Sequence, residues 1–391
     1  MKYWRGYIVA AILAVTTWAL MEFAKMHGTL IDMIYPYATR LIQTSLAGWS
    51  SGVDFCLWQL LVVVLAVAVL ATLVLTVIFR WNIFQWLGWV AAGACFLFFL
   101  HTGIYGLNNY ASPLAEDIRL DVNTGYTVTN LAEATTYYRD MANKLADEVP
   151  RDAQGKLKYP SFQQLAEQAG DGFLTLTYED SYAVFAGSLE PVKELGWADM
   201  YSAMGIDGIT MALTGEAAVN PHTPVVALPF TMCHEMVHRM CIQTERDANL
   251  AAFLACHRNS DPIFQYSAYF MAFRYCYNAL ASVGTSTANA AAQTIYSGVS
   301  TKLMADLTDY REHYAANINP TASNVASSVN NTYIQISGDE SGVRSYGEVC
   351  DLLVSWHIQE IYLPAHKDEE QVFDPLDKNQ VDLTDKNSGE K

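Results

Sequence analysis

Pro229-Phe230-Thr231-Met232-Cys233-His234-Glu235-Met236-Val237-His238 is the stretch on which the reading of this chain turns. Proline suits a first helical turn, and Met232, Val237 and Met240 supply an apolar packing face, so 230–241 predicts a helix. On a helix, residues four apart stand one turn apart on the same face, and the imidazoles of His234 and His238 can reach a single ion. Zinc takes imidazole nitrogen at about 2.0–2.1 Å, and three protein ligands leave it one position for water. Glu235 is offset from the two histidines, so its carboxylate faces that water and takes the place of a general base. The same five residues also occur on surface helices that bind nothing.

A third ligand is required, and Glu245-Arg246-Asp247-Ala248-Asn249 begins seven residues after His238. On one unbroken helix Glu245 would stand about 10 Å further along the axis, out of reach. The spacing therefore predicts a turn within 239–244 and a second helix running back, with Thr244 as its cap and Glu245 in its first turn. Asp247 is the rival ligand, and surface acids on an exposed helix are the alternative for both. Cys233, Cys241 and Cys256 read as small buried hydrophobes.

Upstream lie three apolar runs, giving expected spans at about 6–23, 55–79 and 83–105. The first follows Lys2 and Arg5, and its bulky Trp18 and Met21 favour a retained anchor over a cleaved leader. Arg80, with Lys2 and Arg5, places the chain start and the 80–82 connection on the cytoplasmic side, and everything after the third span outside. Residues 27–50 carry Leu30, Ile31, Ile34, Tyr37, Ala38, Leu41 and Ile42 at helical spacing, which suits a helix lying on the outer surface or an ordinary loop helix. Helices are expected at 133–149 and 161–169, a strand at 206–213, a strand or buried loop at 225–228, and helices at 244–258, 262–282, 285–313, 321–335 and 345–362. Three regions result: a membrane region over 1–111, a helical domain over 112–365, and a disordered acidic tail over 366–391.

Of 391 residues, 23 are Lys or Arg and 40 are Asp or Glu, a formal charge of −17 that repels phosphate backbones and argues against nucleic acid as a partner. Only 16% of residues are charged and 52% are hydrophobic, which a lipid-embedded part explains. Seven scattered cysteines do not make a disulfide framework.

The stretch Met204 to Leu280 resembles a family of uncharacterised bacterial membrane proteins expected to be zinc metallopeptidases. The resemblance rests on Gly205 to Gly208, Thr214-Gly215-Glu216-Ala217, Pro229-Phe230-Thr231, Glu245 to Asn249, Tyr266-Ser267-Ala268-Tyr269 and Ser345-Tyr346-Gly347. Two departures stand out: Cys241 occupies the turn after the second histidine, where the family tends to have Gly, and Asp247 replaces the usual Glu. The Glu-x-x-x-Asn piece is also similar to the Glu-x-x-x-Asp of gluzincin peptidases. That likeness implies Glu245 as the metal ligand and puts Asn249 where an Asp would orient a ligand histidine.

The expectation is a mainly α chain with a small β element, in which N-terminal transmembrane helices precede a zincin-like helical metallopeptidase domain. The chain is expected to sit in a bacterial cell membrane as a multi-pass protein, with its catalytic domain extracytoplasmic. His234, His238 and Glu245 would hold Zn²⁺, Glu235 would act as base, and the substrate would be an extracytoplasmic peptide or protein. Asp247, Asn249, Tyr266, Tyr346 and His357 are candidates for supporting the ligands or steadying an oxyanion. Residues 206–217 suit an edge strand on which a peptide pairs, and Glu216 either meets a substrate amine or caps a turn, the turn being favoured. His222, His257 and His313 read as surface or helix-end histidines. The alternative is a non-catalytic membrane sensor or scaffold with a structural zinc. Because the motif lies more than a hundred residues beyond the last span, cleavage inside the bilayer is not expected.

Overall fold

The computed structural model describes residues 2–122, 125–336 and 345–366. It is mostly helical, with one small sheet. Three helices are long and apolar enough to cross a membrane: α1 (Arg5–Met26), α3 (Leu57–Ile78) and α4 (Ile83–Ile104). Between the first two lies α2 (Gly28–Ser50). α1 packs along α4 through small residues. Gly6 meets Gly88 so closely that a Cβ on Gly6 would stand 2.4 Å from the Gly88 carbonyl carbon, and Ala10 and Ala92 are buried. Such small-residue stripes let two apolar helices approach where there is no water to drive them together. Trp86 Nε1 donates to Thr72 Oγ1 across the α3–α4 hairpin.

α2 has two faces. Arg40 Nη1 donates to the Val184 carbonyl and Gln43 Nε2 to that of Ala212, fixing the inner face on the rest of the chain. Leu30, Met33, Ile34, Tyr37 and Leu41 are exposed on the outer face. Of the apolar positions picked out by helical spacing, Ile31 alone is fully buried.

The remaining α-helices of four residues or more are α5 (Leu114–Asp117), α6 (Val128–Leu145), α7 (Phe162–Gln168), α8 (Asp171–Tyr178), α9 (Ala198–Met204), α10 (Leu228–Arg239), α11 (Glu245–Arg258), α12 (Pro262–Ser282), α13 (Ser286–Ser297), α14 (Thr301–Asn317), α15 (Pro320–Ile336) and α16 (Ser345–His357). α11 is the hub. Its alanines 248, 251, 252 and 255 are buried without bulk, and α8 reaches it at Gly172, where a Cβ would overlap the Ala255 carbonyl oxygen at 1.8 Å. Around it α12 supplies Phe264, Tyr269, Phe270 and Phe273, and α16 supplies Leu353 and Trp356.

Several expected elements shift. α6 begins at Val128 because Thr127 and Asn130 form a reciprocal capping box there. The expected helix over 285–313 is two helices, since Ser300 Oγ accepts from Leu303 N and starts α14 anew after Gly298. Residues 225–228 form the turn into α10, the Ala227 and Leu228 amides donating to the Pro224 carbonyl. His257 is a helix-end histidine in the last turn of α11, half-buried where it stacks on Phe253 and hydrogen-bonds to Tyr269. The expected tail, apart from His366, lies outside the described residues.

The sheet has the order β1 (Lys193–Glu194), β3 (Glu216–Val219), β2 (Gly208–Met211), with β2 antiparallel to β3 at one edge. Both β2 and β3 pack on α10. Glu216 caps backbone amides, as favoured, but those of a distant helix start and not of a turn of its own. Its carboxylate accepts from Leu57 N at 2.7 Å and Trp58 N at 2.9 Å, capping the first turn of α3, and from Lys193 Nζ at 2.7 Å. Anionic oxygens stabilise a helix start, where backbone N–H groups lack partners.

Candidate metal centre

α10 ends in a tight reversal. The Cys241 amide donates to the His238 carbonyl and the Ile242 amide to that of Val237, the pattern that closes a helix on a left-handed residue. That residue is Cys241, with φ +74°. A side chain there costs about 1–2 kcal/mol relative to glycine. Burial of Cys241 against Tyr105 and Ala212 offsets this. The reversal also turns the Ile242 carbonyl towards His238, 2.9 Å from its Nδ1. Because a carbonyl only accepts, Nδ1 carries the proton, which leaves Nε2 as the nitrogen available to a metal ion.

Thr244 Oγ1 accepts from Asp247 N, and α11 starts at Glu245. Here three ligand groups converge. His234 Nε2 lies 3.1 Å from His238 Nε2 and 3.3 Å from Glu245 Oε2, and His238 Nε2 lies 3.9 Å from Glu245 Oε1. Ligands about 2.0–2.1 Å from a tetrahedral ion stand roughly 3.3 Å apart, so this trio of groups is spaced such that it could hold a metal ion. Among the described residues it is the group of three or more His, Cys, Asp or Glu atoms that could hold a metal ion.

Glu235 lies outside this trio, buried beside it. Its Oε2 accepts from Thr210 Oγ1 of β2 at 2.8 Å, and the same hydroxyl reaches the Glu235 carbonyl. β2 comes this close at Gly208, where a Cβ would fall 2.4 Å from Glu235 Oε1. Burial pushes the Glu235 carboxyl up to about 7, against the lowering effects of His238 and the Thr210 bond.

The supporting candidates are placed elsewhere. Asp247 Oδ2 accepts from Leu114 N at the start of α5, and its Oδ1 accepts from Arg246 Nε. Asn249 Nδ2 donates to the Glu245 carbonyl and its Oδ1 accepts from Tyr275 OH, so its side chain braces the backbone of Glu245. Tyr266 is buried, donating to Asp306, which also pairs with Arg151. His357 is buried against the rings of Tyr137 and Tyr138. Tyr346 lies on α16, and its side chain is outside the described residues.

Two groups near the site escaped the sequence reading. Tyr275 is close enough to Glu245 and Asp207 that their charges add to the burial raising its phenol. Asp207, beside the first residue of β2, accepts from Tyr314 OH at 2.5 Å, and its carboxyl is raised by burial. Asp207 falls within the Gly205 to Gly208 stretch, but nothing there assigns the carboxylate a role, and nothing in the spacing of 23 tyrosines marks Tyr275 out.

The model of the family described as Protein of unknown function (DUF3810) matches residues 31–354. The chain belongs to that family. Within DUF3810 the matched stretch contains α3, α4, the sheet and the whole α10–α11 centre, and the family's description carries no activity. No curated protein and no solved structure matches the chain.

Proposed function

We propose that this DUF3810 protein is a membrane-anchored, zinc-dependent peptidase of zincin-like, gluzincin type. In this reading α1, α3 and α4 cross a bacterial membrane and the rest of the chain stands on its outer side. The observation that carries it is the convergence of His234, His238 and Glu245 at ligand spacing, with a buried glutamate alongside. When bound, zinc supplies a Lewis-acid centre at which water becomes a nucleophile near neutral pH.

The chain's own residues do the rest. The Ile242 carbonyl fixes the tautomer of His238, and Asn249 braces the backbone of Glu245. Thr210 aims the Glu235 carboxylate, whose raised pKa suits a group that takes up and returns a proton at neutral pH. β2 is one of the two sheet edges, so an extended polypeptide can add to it as a further strand next to Glu235.

A second reading, a sensor with a structural zinc, is favoured by one contact: Tyr105, which ends α4, donates to the His238 carbonyl and so couples a candidate span to the metal centre. The test is metal analysis of the purified full chain, followed by incubation with a peptide library with and without chelator and beside Glu235→Gln. Zinc at one equivalent, with cleavage abolished by both treatments, is expected. Stoichiometric zinc with no cleavage establishes the sensor, and absence of zinc refutes both.

A further inference from the structure

The sequence puts the metal-binding motif far from the third apolar helix, yet the fold brings them together. Tyr105, the residue after α4, donates through its hydroxyl to the His238 carbonyl at 2.9 Å, and its own carbonyl accepts from Gln243 Nε2. Cys241, at the crest of the reversal between the ligands, packs on Tyr105 and Ile104. Asp247, two residues after the third ligand, caps α5, a few residues downstream of α4. The other two candidate spans end at the same level. Glu216 of β3 caps the start of α3, and Ala24 near the end of α1 packs with Ile31 of α2 and Leu107. α2 joins this level through Tyr35 OH, which donates to the Thr102 carbonyl at the end of α4. Its exposed row of Leu30, Met33, Ile34, Tyr37 and Leu41 lies on the helix that links the end of α1 to the segment before α3.

Twenty-two helical residues extend about 33 Å, against a hydrocarbon thickness of about 30 Å, so α4 surfaces close to its last turn. From there a tyrosine side chain, one hydrogen bond and a histidine side chain reach the ligand nitrogen, a distance on the order of 15 Å. An extended chain leaving a bilayer covers that in about five residues.

We propose that this centre works at the membrane surface, on the extended juxtamembrane stretch of another membrane-anchored polypeptide. The proposal rests on the peptidase reading above and on α1, α3 and α4 crossing the bilayer. The outer face of α2 is seated in the lipid interface and sets the height of the site. A substrate strand emerging beside α4 reaches β2 and the His234–His238–Glu245 centre without the cost of finding it from solution. Free peptides lack this advantage, because tethering in the same plane raises the effective concentration of the scissile stretch.

The test uses the zinc-loaded full chain in phosphatidylethanolamine–phosphatidylglycerol vesicles. Three substrates carry the same randomised 20-residue segment: directly after a single synthetic span, after that span and a 40-residue Gly/Ser spacer, and free in solution. The directly attached segment is expected to be cut at least tenfold faster than the other two, within about ten residues of the bilayer, and not at all by Glu235→Gln. Equal rates for all three overturn the proposal and leave the peptidase reading standing, whereas cleavage of none overturns both. A second readout is independent of turnover: lipids carrying a photoreactive diazirine at the glycerol end are expected to label residues 30–41 and 241–246. Labelling confined to α1, α3 and α4 overturns the placement, whatever the cleavage rates.

Discussion

Gly208→Ala tests the assignment of Glu235 without touching the proposed metal ligands. The new Cβ would lie 2.4 Å from Glu235 Oε1, 2.5 Å from Cγ and 2.6 Å from Cδ, where ordinary contact begins near 3.4 Å. The backbone and α10 are fixed by the core, so the side chain of Glu235 yields, and its carboxylate recedes by about 1 Å, the shortfall between 2.4 and 3.4 Å. That shift breaks the Thr210 bond, and a misplacement of about 1 Å at a reacting group costs about 10²-fold in rate. Stability changes little: alanine in a strand gains up to about 1 kcal/mol over glycine, and the lost hydrogen bond costs about 1 kcal/mol. The assay is kcat/KM on a cleaved peptide, zinc affinity by calorimetry, and unfolding by denaturant, all on the full chain. A fall of about 10²-fold in kcat/KM with zinc affinity held within threefold is expected. Thr210→Val, which removes the bond but leaves the space, is expected to cost only about tenfold. Unchanged cleavage in Gly208→Ala would refute the role of Glu235, and a parallel loss of zinc would show that the damage runs through the metal site.

Cys241→Val places a β-branched residue at φ +74°, so the reversal shifts and the Ile242 carbonyl leaves His238 Nδ1; zinc affinity is expected to fall about 10–100-fold by competition with a chromophoric chelator. Glu216→Gln removes the charge that caps α3 and leaves Lys193 buried without its counter-ion; hydrogen exchange of the 57–60 amides is expected to accelerate at least tenfold, and thermal stability to drop by about 3–5 kcal/mol. Burial lowers His257 and His357 to about 4, below the ordinary value near 6.5, so the unfolded chain binds more protons between those limits. Stability is therefore full above pH 6.5 and lost as pH falls towards 4, by a few kcal/mol in total, and His357→Phe is expected to flatten part of that slope in denaturant titrations.

Local signals carried most of what the sequence revealed. The apolar runs at 57–79 and 83–100 show α3 and α4 because composition alone decides whether a helix suits lipid, and Ser161 shows α7 because a capping residue acts within its own turn. The reversal after His238 was legible by a negative argument, since a straight helix could not bring Glu245 within reach. Its chemistry was not: the sequence marks Cys241 as a departure from glycine, but that the residue stands in the left-handed region depends on Tyr105, Ile104 and Ala212 packing over it. The division of 285–313 was missed because Gly298 is a weak breaker alone, and Ser300 becomes a cap only once the chain has turned.

What spacing cannot show is which distant segments share a wall. Glu216 lies in a motif that invites a role at the site, yet it is spent on the first turn of α3, 159 residues upstream. His357 and Tyr266 have the right chemistry for an oxyanion, and the core claims both, the tyrosine through Asp306 and Arg151. Conversely Thr210 and Tyr105, unremarkable in the sequence, hold the general-base candidate and the carbonyl of a ligand histidine. The contact made by Tyr105 also reverses the argument from sequence distance. Separation along the chain sets His234 and His238 apart from the apolar helices, but the return of the chain to the end of α4 brings them next to a candidate span. A centre so placed is expected to select its substrates by where they are anchored as much as by their side chains.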